Sequence, residues 1–353
     1  MTPNHGFLAY FALMSALLLV GPLLGAWRKV QGAWAATGGV LCGGVLFGVW
    51  IHQAAFGGDP FAMLAFVALT LFTFLPVSLL LCGFQLRDEG LAVGMGFAGA
   101  AILMAMIGLY SSVLEPRWIE TTTLTVKTSK VTARFRVVLL ADIQCDTPGS
   151  YEQDVFARIA DAKPDLVLLA GDYLQVPGLA MAHPASGVLR KLMSESGIRA
   201  AAYAVRGNVD AADWAGLFTG LGITTVERTT PFAVSSQITL TALSLEDSAD
   251  VQLEVPQRPG FHIVLGHKPD FALGRVNADL LLAGHTHGGQ VQIPLFGPPI
   301  TFSAIPRAWA EGATRLDAGR TLVVSRGIGM ERGYAPRLRF LARPQLVVID
   351  LVP

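Results

Sequence analysis

Four apolar runs fill the first 115 positions and decide what this chain can fold into. They cover residues 7–27, 34–51, 60–84 and 91–113. Each has about the 20 residues a helix needs to cross a hydrocarbon core. Charge is nearly absent there: Arg28, Lys29, Asp59, Arg87, Asp88, Glu89 and Glu115 are 7 of the chain's 52 charged residues. No polar face recurs in the runs, which argues against a soluble helical bundle. Four runs in succession also argue against a single cleaved signal peptide. Pro22 and Pro76 interrupt two of them, which membrane helices tolerate. Gly39 with Gly43, and Gly44 with Gly48, are spaced for close helix packing. We expect a transmembrane domain of about four helices over residues 1–115. A juxtamembrane linker with an edge strand follows over 116–133, and a soluble domain over 134–353.

Short loops set an orientation. Arg28 and Lys29 follow the first run and Arg87 the third, while the N-terminus and the 52–59 loop carry no Lys or Arg. Positive loops prefer the cytoplasm, so both ends of the membrane domain, and the soluble domain with them, are expected outside. The formal net charge of zero excludes nucleic-acid binding by bulk positive charge. Three Cys exclude a disulfide scaffold. Cys42 and Cys82 fall inside apolar runs, leaving Cys145 alone in the soluble half.

The soluble half alternates strand and helix patterns. Strands are expected at 123–128, 135–141, 165–170, 200–205, 237–242, 262–265, 280–283, 291–293, 321–324 and 346–351. Helices are expected at 151–162, 188–193 and 211–221. This is an α/β class, with mixed pairing once the late strands begin.

The chemistry sits just past those strands. The run 135–141 ends in Asp142-Ile143-Gln144, and 165–170 in Gly171-Asp172. The run 200–205 ends in Arg206-Gly207-Asn208-Val209-Asp210, and 262–265 in Gly266-His267. The run 280–283 ends in Gly284-His285-Thr286-His287-Gly288-Gly289-Gln290. Strand C-termini are where open α/β sheets place ligands. Two carboxylates, three imidazoles and two amides form an N/O donor set without thiolate. It suits Mn²⁺, Fe or Zn²⁺ and not a structural Cys-type zinc site. Seven donors exceed one tetrahedral ion and suit a pair about 3.5–4 Å apart.

In this order the motifs resemble the calcineurin-like metallophosphoesterases over about residues 134–351. GHTHGGQ (284–290) and SRGIG (325–329) look most like the membrane-anchored bacterial branch. The resemblance implies a four-layer α/β/β/α sandwich in a bacterial inner-membrane protein, with a dinuclear centre that hydrolyses phosphate esters. By position, Asp142, Gln144 and His287 would hold one metal and Asn208, His267 and His285 the other, with Asp172 bridging. Asp172, Asn208 and Asp210 form the implied catalytic group. Arg326 and Arg332 are candidates for phosphate oxygens, against surface salt bridges. Asp146 and Asp210 could orient ligands or cap loops.

Two positions depart from the family pattern. Gln144 stands where a ligand His is usual. A subgroup resembling manganese-dependent ADP-ribose pyrophosphatases also has Gln there, which tilts the metal toward Mn²⁺ over Zn²⁺ or Fe²⁺. Val209 replaces a His near the leaving group, which implies an acidic leaving group and hence a diester or pyrophosphate. A lipid or nucleotide-linked lipid substrate follows only by analogy.

Plainer readings stand beside these. His183 is read as a loop residue and His262 as structural. Cys145 is read as a small buried Cys. The apolar stretch after GHTHGGQ (Ile293, Leu295, Phe296, Ile300, Phe302, Ile305, Trp309) either receives a lipid or interface, or packs on its own domain. The alternative function is a metal-binding sensor that lost turnover. A transport role for the apolar half is disfavoured, since its spans hold no internal charge.

Overall fold

The computed structural model describes residues 2–23 and 30–353. Residues 24–29, which hold Arg28, Lys29 and the end of the first apolar run, lie outside the described residues. The chain divides into two compact units: Met1–Val113 with Gly333–Arg337, and Leu114–Arg332 with Leu338–Pro353.

The first unit is helical: α1 (Pro3–Leu23), α2 (Val30–Phe56), α3 (Pro60–Leu69), α4 (Leu75–Gln85) and α5 (Leu91–Leu109). A wide π turn, Thr70–Phe74, joins α3 to α4. Pro76 explains it: the ring has no N–H to give and crowds the turn before it, so the backbone widens there without breaking. Val30–Phe56, Pro60–Asp88 and Leu91–Arg117 are each long and apolar enough to cross a membrane. Four such segments were expected; among the described residues α1 contributes only the shorter apolar stretch Pro3–Leu19. The glycine pairs divide. A Cβ on Gly44 would meet Thr70, and one on Gly48 would lie 3.2 Å from Phe66. Gly39 has nothing within 4 Å, so it does no packing work.

The second unit holds two six-stranded mixed sheets. The first runs β1 (Glu120–Lys127), β14 (Gln345–Val352), β2 (Phe135–Leu140), β3 (Leu166–Leu169), β4 (Ala201–Val205), β5 (Ile223–Val226). The second runs β12 (Gly312–Arg315), β13 (Thr321–Val324), β11 (Leu280–Ala283), β9 (Phe261–Leu265), β7 (Ile238–Ala242), β6 (Thr230–Ala233). A small parallel pair joins β8 (Glu254–Val255) to β10 (Arg275–Val276).

Alternation within each strand builds the layers. Val137 and Leu139 of β2 pack with Leu168 of β3 against Leu240, Ile263 and Leu282 of the other sheet. Val138 and Leu140 turn the other way, onto Phe156 and Ile159 of α6 (Ser150–Asp161) and Leu189 of α7 (Pro184–Glu195). Leu281 and Leu322 of the second sheet face outward onto Phe271 and Ile305. Burial on both faces is why these strands read as unbroken apolar runs. Each such side chain contributes about 1.5–3 kcal/mol on burial.

Two expectations met a different outcome, and three edge strands were not expected. The 211–221 helix shrinks to one 3₁₀ turn, Trp214–Phe218. Gly220 and Gly222 adopt positive φ there, and the Asp213 carboxylate is taken by the backbone N–H groups of Ala180 and Met181. The 291–293 strand is reduced to isolated bridges, Val291 to Phe340 and Ile293 to Gly297, beside Pro294 and a Leu295 at φ 69°. The edge strands β5, β6 and β12 had no apolar run to announce them. Alternating half-exposed Thr, Pro and Ala mark β6 and β12 as edges after the fact.

Candidate metal centre

Register brings the ligand types to one end of the sheets. Leu140 pairs with Leu169 in the first sheet, so the chain leaves β2 and β3 side by side toward Asp142 and Asp172. In the second sheet Leu282 pairs with Leu265 and Ala283 with Val324. His267, His285 and the 325–329 loop therefore start from one edge.

These residues sit in an unusual backbone. Asp142, Gln144, Asp172, His285 and His287 all have φ between 43° and 72°. Non-glycine residues rarely adopt this region, and such outliers cluster at functional sites. The neighbouring glycines are needed for close approach. A Cβ on Gly207 would collide with the Asp172 carboxylate, and one on Gly327 (φ 66°) would lie 2.7 Å from Asp142.

Asp142, Asp172 and His267 each place one ligand atom within 4.8 Å of the others. His267 Nδ1 lies 2.7 Å from Ala170 O, which can only accept. The neutral ring therefore turns its Nε2 lone pair inward, 2.8 Å from Asn208 Oδ1 and 3.4 Å from Asp172 Oδ2. His285 donates from its backbone N–H to both Asp142 oxygens, at 3.0 and 3.1 Å. Its Nε2 donates to Phe302 O at 3.1 Å, which leaves Nδ1 as its lone pair. The rings of His267 and His285 are 5.1 Å apart. His287 is buried beside them, with Arg339 Nη2 3.3 Å from its Nδ1. Gln144 is fully buried; its Nε2 donates to Glu331 at 3.0 Å, while its Oε1 has no hydrogen-bond partner.

Burial drives the electrostatics. It raises the Asp142 carboxyl well above the usual range, with the Asp172 charge adding to it. Asp172 is pushed up to about 7 by burial. Asp210 reaches about 7 by burial and then by the Asp172 charge. The imidazoles move the other way: burial takes His267 to about 4, and burial with the His267 charge takes His285 to about 3. Burial, then Arg339, holds His287 far below its ordinary value. Crowded carboxylates beside imidazoles stripped of protons form a site short of positive charge. Converging lone pairs and an orphaned amide oxygen fit a hard divalent cation.

Two expected roles change on geometry. The Asp210 carboxylate accepts from the backbone N–H groups of Asp172, Tyr173 and Gly207 at 2.7–2.9 Å. Both of its oxygens are engaged by backbone, which ties two ligand loops together. The Arg326 guanidinium is bound to Glu120, Glu311 and Arg343 O, so it is committed to the fold and not to a phosphate. Arg332 lies 3.7 Å from Asp146. Cys145 donates to Tyr173 O inside the core. His262 is held by Thr241 and Asn277, and His183 caps α7 by accepting from Ala185 N–H at 3.2 Å. Val209 gives its backbone N–H to Asp172 at 2.9 Å, a contact that any side chain there would allow.

Sequence reading missed three residues. Arg339 is fully buried and gives its guanidinium to the carbonyls of Arg326, Gly327, Gly329 and Ala342. Glu331 braces two glutamine amides. Lys268 directly follows His267; its ammonium has no partner among the described residues, and its charge lowers both Asp172 and His267. A Lys beside a ligand His was the one signal available for it.

Comparison with known proteins gives the family. Residues 135–289 match the family model described as calcineurin-like phosphoesterase. A Bacillus subtilis (strain 168) protein named uncharacterized metallophosphoesterase YkuE is 33% identical over 267 residues, which are 69% of this chain and 88% of that one. The chain belongs to the calcineurin-like phosphoesterase family. This phosphoesterase is also 27% identical over 271 residues to phosphodiesterase YaeI of Escherichia coli (strain K12), covering 72% of this chain and 97% of that one. Among solved structures, GAP50, the anchor in the inner membrane complex of Plasmodium, matches 62% of this chain and 81% of its own at 14% identity. Its TM-score is 0.36. As a member of the family, this phosphoesterase is a hydrolase of phosphate esters that uses divalent metal.

Proposed function

We propose that this chain is a membrane-anchored, dinuclear phosphodiesterase or pyrophosphatase with a four-layer α/β/β/α catalytic domain on the outer face of a bacterial inner membrane. The observation that carries the metal centre is the cluster of Asp142, Asp172 and His267, whose ligand atoms lie within 4.8 Å of one another, with a buried, unpartnered Gln144 Oε1 two residues after Asp142. Asp142, Gln144 and His287 would hold one ion, Asn208, His267 and His285 the other, and Asp172 would bridge. Two divalent ions there supply charge stabilisation for the phosphate oxygens and an activated water. The amide oxygen of Gln144 favours Mn²⁺ over the softer choices. Asn208 is exposed, and the free Lys268 ammonium is the cation best suited to meet a phosphate oxygen.

Diesters and pyrophosphates suit the site because Val209 offers no proton to a leaving group. The name of the Escherichia coli relative points the same way. A lipid substrate is supported by the loop after the GHTHGGQ motif. Ile293, Leu295, Phe296, Ile300 and Phe302 are all exposed, and Phe302 O is bonded to His285. By contrast, Ile305 is buried and Trp309 packs on its own core.

The test uses the full chain in detergent, stripped and reloaded with Mn²⁺, Zn²⁺ or Fe²⁺. The intact chain is needed because buried Glu115 accepts from the Leu341 and Ala342 N–H groups, which a shorter fragment would lose. Bis-p-nitrophenyl phosphate and p-nitrophenyl phosphate are assayed side by side, with Asp172→Asn as control. Metal-dependent diester cleavage that disappears in the control is the expected result. Metal binding without turnover of these esters or a pyrophosphate panel would favour the sensor reading.

A further inference from the structure

Gln144 is one of the two positions that stand in place of a His of the family pattern, and its amide must be held in one of two orientations to bind a cation. Its two ends are nearly the same size, but only the oxygen can bind a cation. A freely rotating amide would present the wrong end in half of its orientations. The surroundings of Gln144 remove that choice.

Its Nε2 faces Glu331, with Oε2 at 3.0 Å. A carboxylate can only accept, so the amide edge on that side must be NH₂. Oε1 is thereby turned to the opposite side, where it is buried without a partner. Glu331 is itself fixed. Its other oxygen accepts from Gln175 Nε2, and Gln175 is locked in turn because its Oε1 accepts from the Arg332 N–H at 2.7 Å. The Glu331 backbone N–H donates to Gln290 Oε1 at 3.0 Å, at the end of the GHTHGGQ motif. Three segments, around residues 144, 175 and 331, thus converge on one carboxylate.

We propose that Glu331 is the positioning residue that orients Gln144, holding the amide so that Oε1 faces the metal centre. Partners of this kind around metal ligands fix orientation, and their loss typically costs about 10–100-fold in metal affinity. The proposal rests on the metal-centre assignment above and extends it to a residue that touches neither metal nor substrate.

The experiment is a metal titration of the stripped full chain in detergent, following Mn²⁺ by calorimetry and by the electron paramagnetic resonance signal of the free ion. Wild type, Glu331→Ala, Glu331→Gln, Gln144→Ala and the Gln144→Ala/Glu331→Ala double variant are compared. Wild type takes up two ions. Glu331→Ala weakens one of them by about 10–100-fold and leaves the other within a few-fold. Glu331→Gln keeps the volume but offers one acceptor to two amide donors, so it weakens the same ion. It serves if the alanine variant fails to fold, which a melt of the metal-free protein reveals. In the Gln144→Ala background, Glu331→Ala adds little further loss, because Glu331 acts on the ion only through the Gln144 amide. An undiminished loss in that background, an equal loss at both ions, or no loss in either Glu331 variant overturns the proposal. A wild-type chain that binds no metal overturns the metal-centre assignment itself, a separate and recognisable outcome.

Discussion

The ligand side chains are held by backbone that most residues avoid, and glycine makes that possible. Gly207→Ala forces its Cβ into the Asp172 carboxylate, and Gly327→Ala adds a Cβ 2.7 Å from Asp142 at a φ of 66°. Both variants should lose metal binding and turnover together, whereas Gly187→Ala on α7, with nothing within 4 Å, should change neither. Metal content per chain checks this. Lys268→Met should lower kcat/KM for a diester by about 10–100-fold, the value of a charge-assisted hydrogen bond of ~1.5–3 kcal/mol. Unchanged metal content is part of the expectation; an unchanged kcat/KM would remove Lys268 from the substrate. Val209→His should raise monoester hydrolysis by at least about tenfold, the low side of what general acid catalysis supplies. Its backbone N–H to Asp172 survives the change. No rise with full metal content would mean that position 209 does not limit monoester turnover.

At the scale of elements, the strands that end in ligands were legible and the loops that brace them were not. β2, β3, β9 and β11 are buried on both faces, so each reads as an apolar run with a polar end. Those ends, Asp142 and Asp172 from one sheet and His267 and His285 from the other, are brought together by register within each sheet and by the packing of the two sheets. Asp210, Arg326, Glu331 and Arg339 act through hydrogen bonds between loops without periodicity; Glu331 and Gln144 are 187 residues apart. Nothing local in the sequence marks such a pair. The same reasoning explains why an Arg in the SRGIG motif looked ready for phosphate but is held by Glu120, 206 residues earlier. The loop after the GHTHGGQ motif was ambiguous from sequence, and the structure divides it: Leu295 is fully exposed while Ile305 is buried. Replacing Leu295 and Phe296 with Ser should therefore leave hydrolysis of a small soluble diester unchanged. It should lower kcat/KM on a lipid diester in vesicles by about tenfold or more, since each side chain is worth ~1.5–3 kcal/mol when fully buried. Equal effects on both substrates would mean that the loop serves the fold and not a lipid.

For the whole molecule, the metal and the proton compete for one set of groups, and the direction of that competition follows from the shifts. In the stripped protein Asp172 and Asp210 titrate near 7, and Asp142 also lies well above its ordinary value. The folded chain therefore keeps protons that an unfolded chain, with carboxyls near 4, has already released. These groups subtract stability as the pH rises from about 4 to about 7. His267 near 4 and His285 near 3 do the reverse. An unfolded chain holds protons on them up to about 6.5, so they add stability as the pH rises through the same window. With carboxyls and imidazoles opposed, the metal-free phosphoesterase unit should show a shallow pH profile between about 4 and 6.5. Metal binding breaks the balance, because a cation takes the place of the carboxyl protons while the imidazoles are already bare. Mn²⁺ affinity should therefore rise as the pH approaches 7 and level off above it. Calorimetric titration of the stripped full chain in buffers of different ionisation enthalpy should show protons released on binding at pH 6 and almost none at pH 8. No proton release at either value would mean that the carboxyls at the site are already ionised without metal, and that Arg339 and Lys268 offset their charge more fully than burial opposes it.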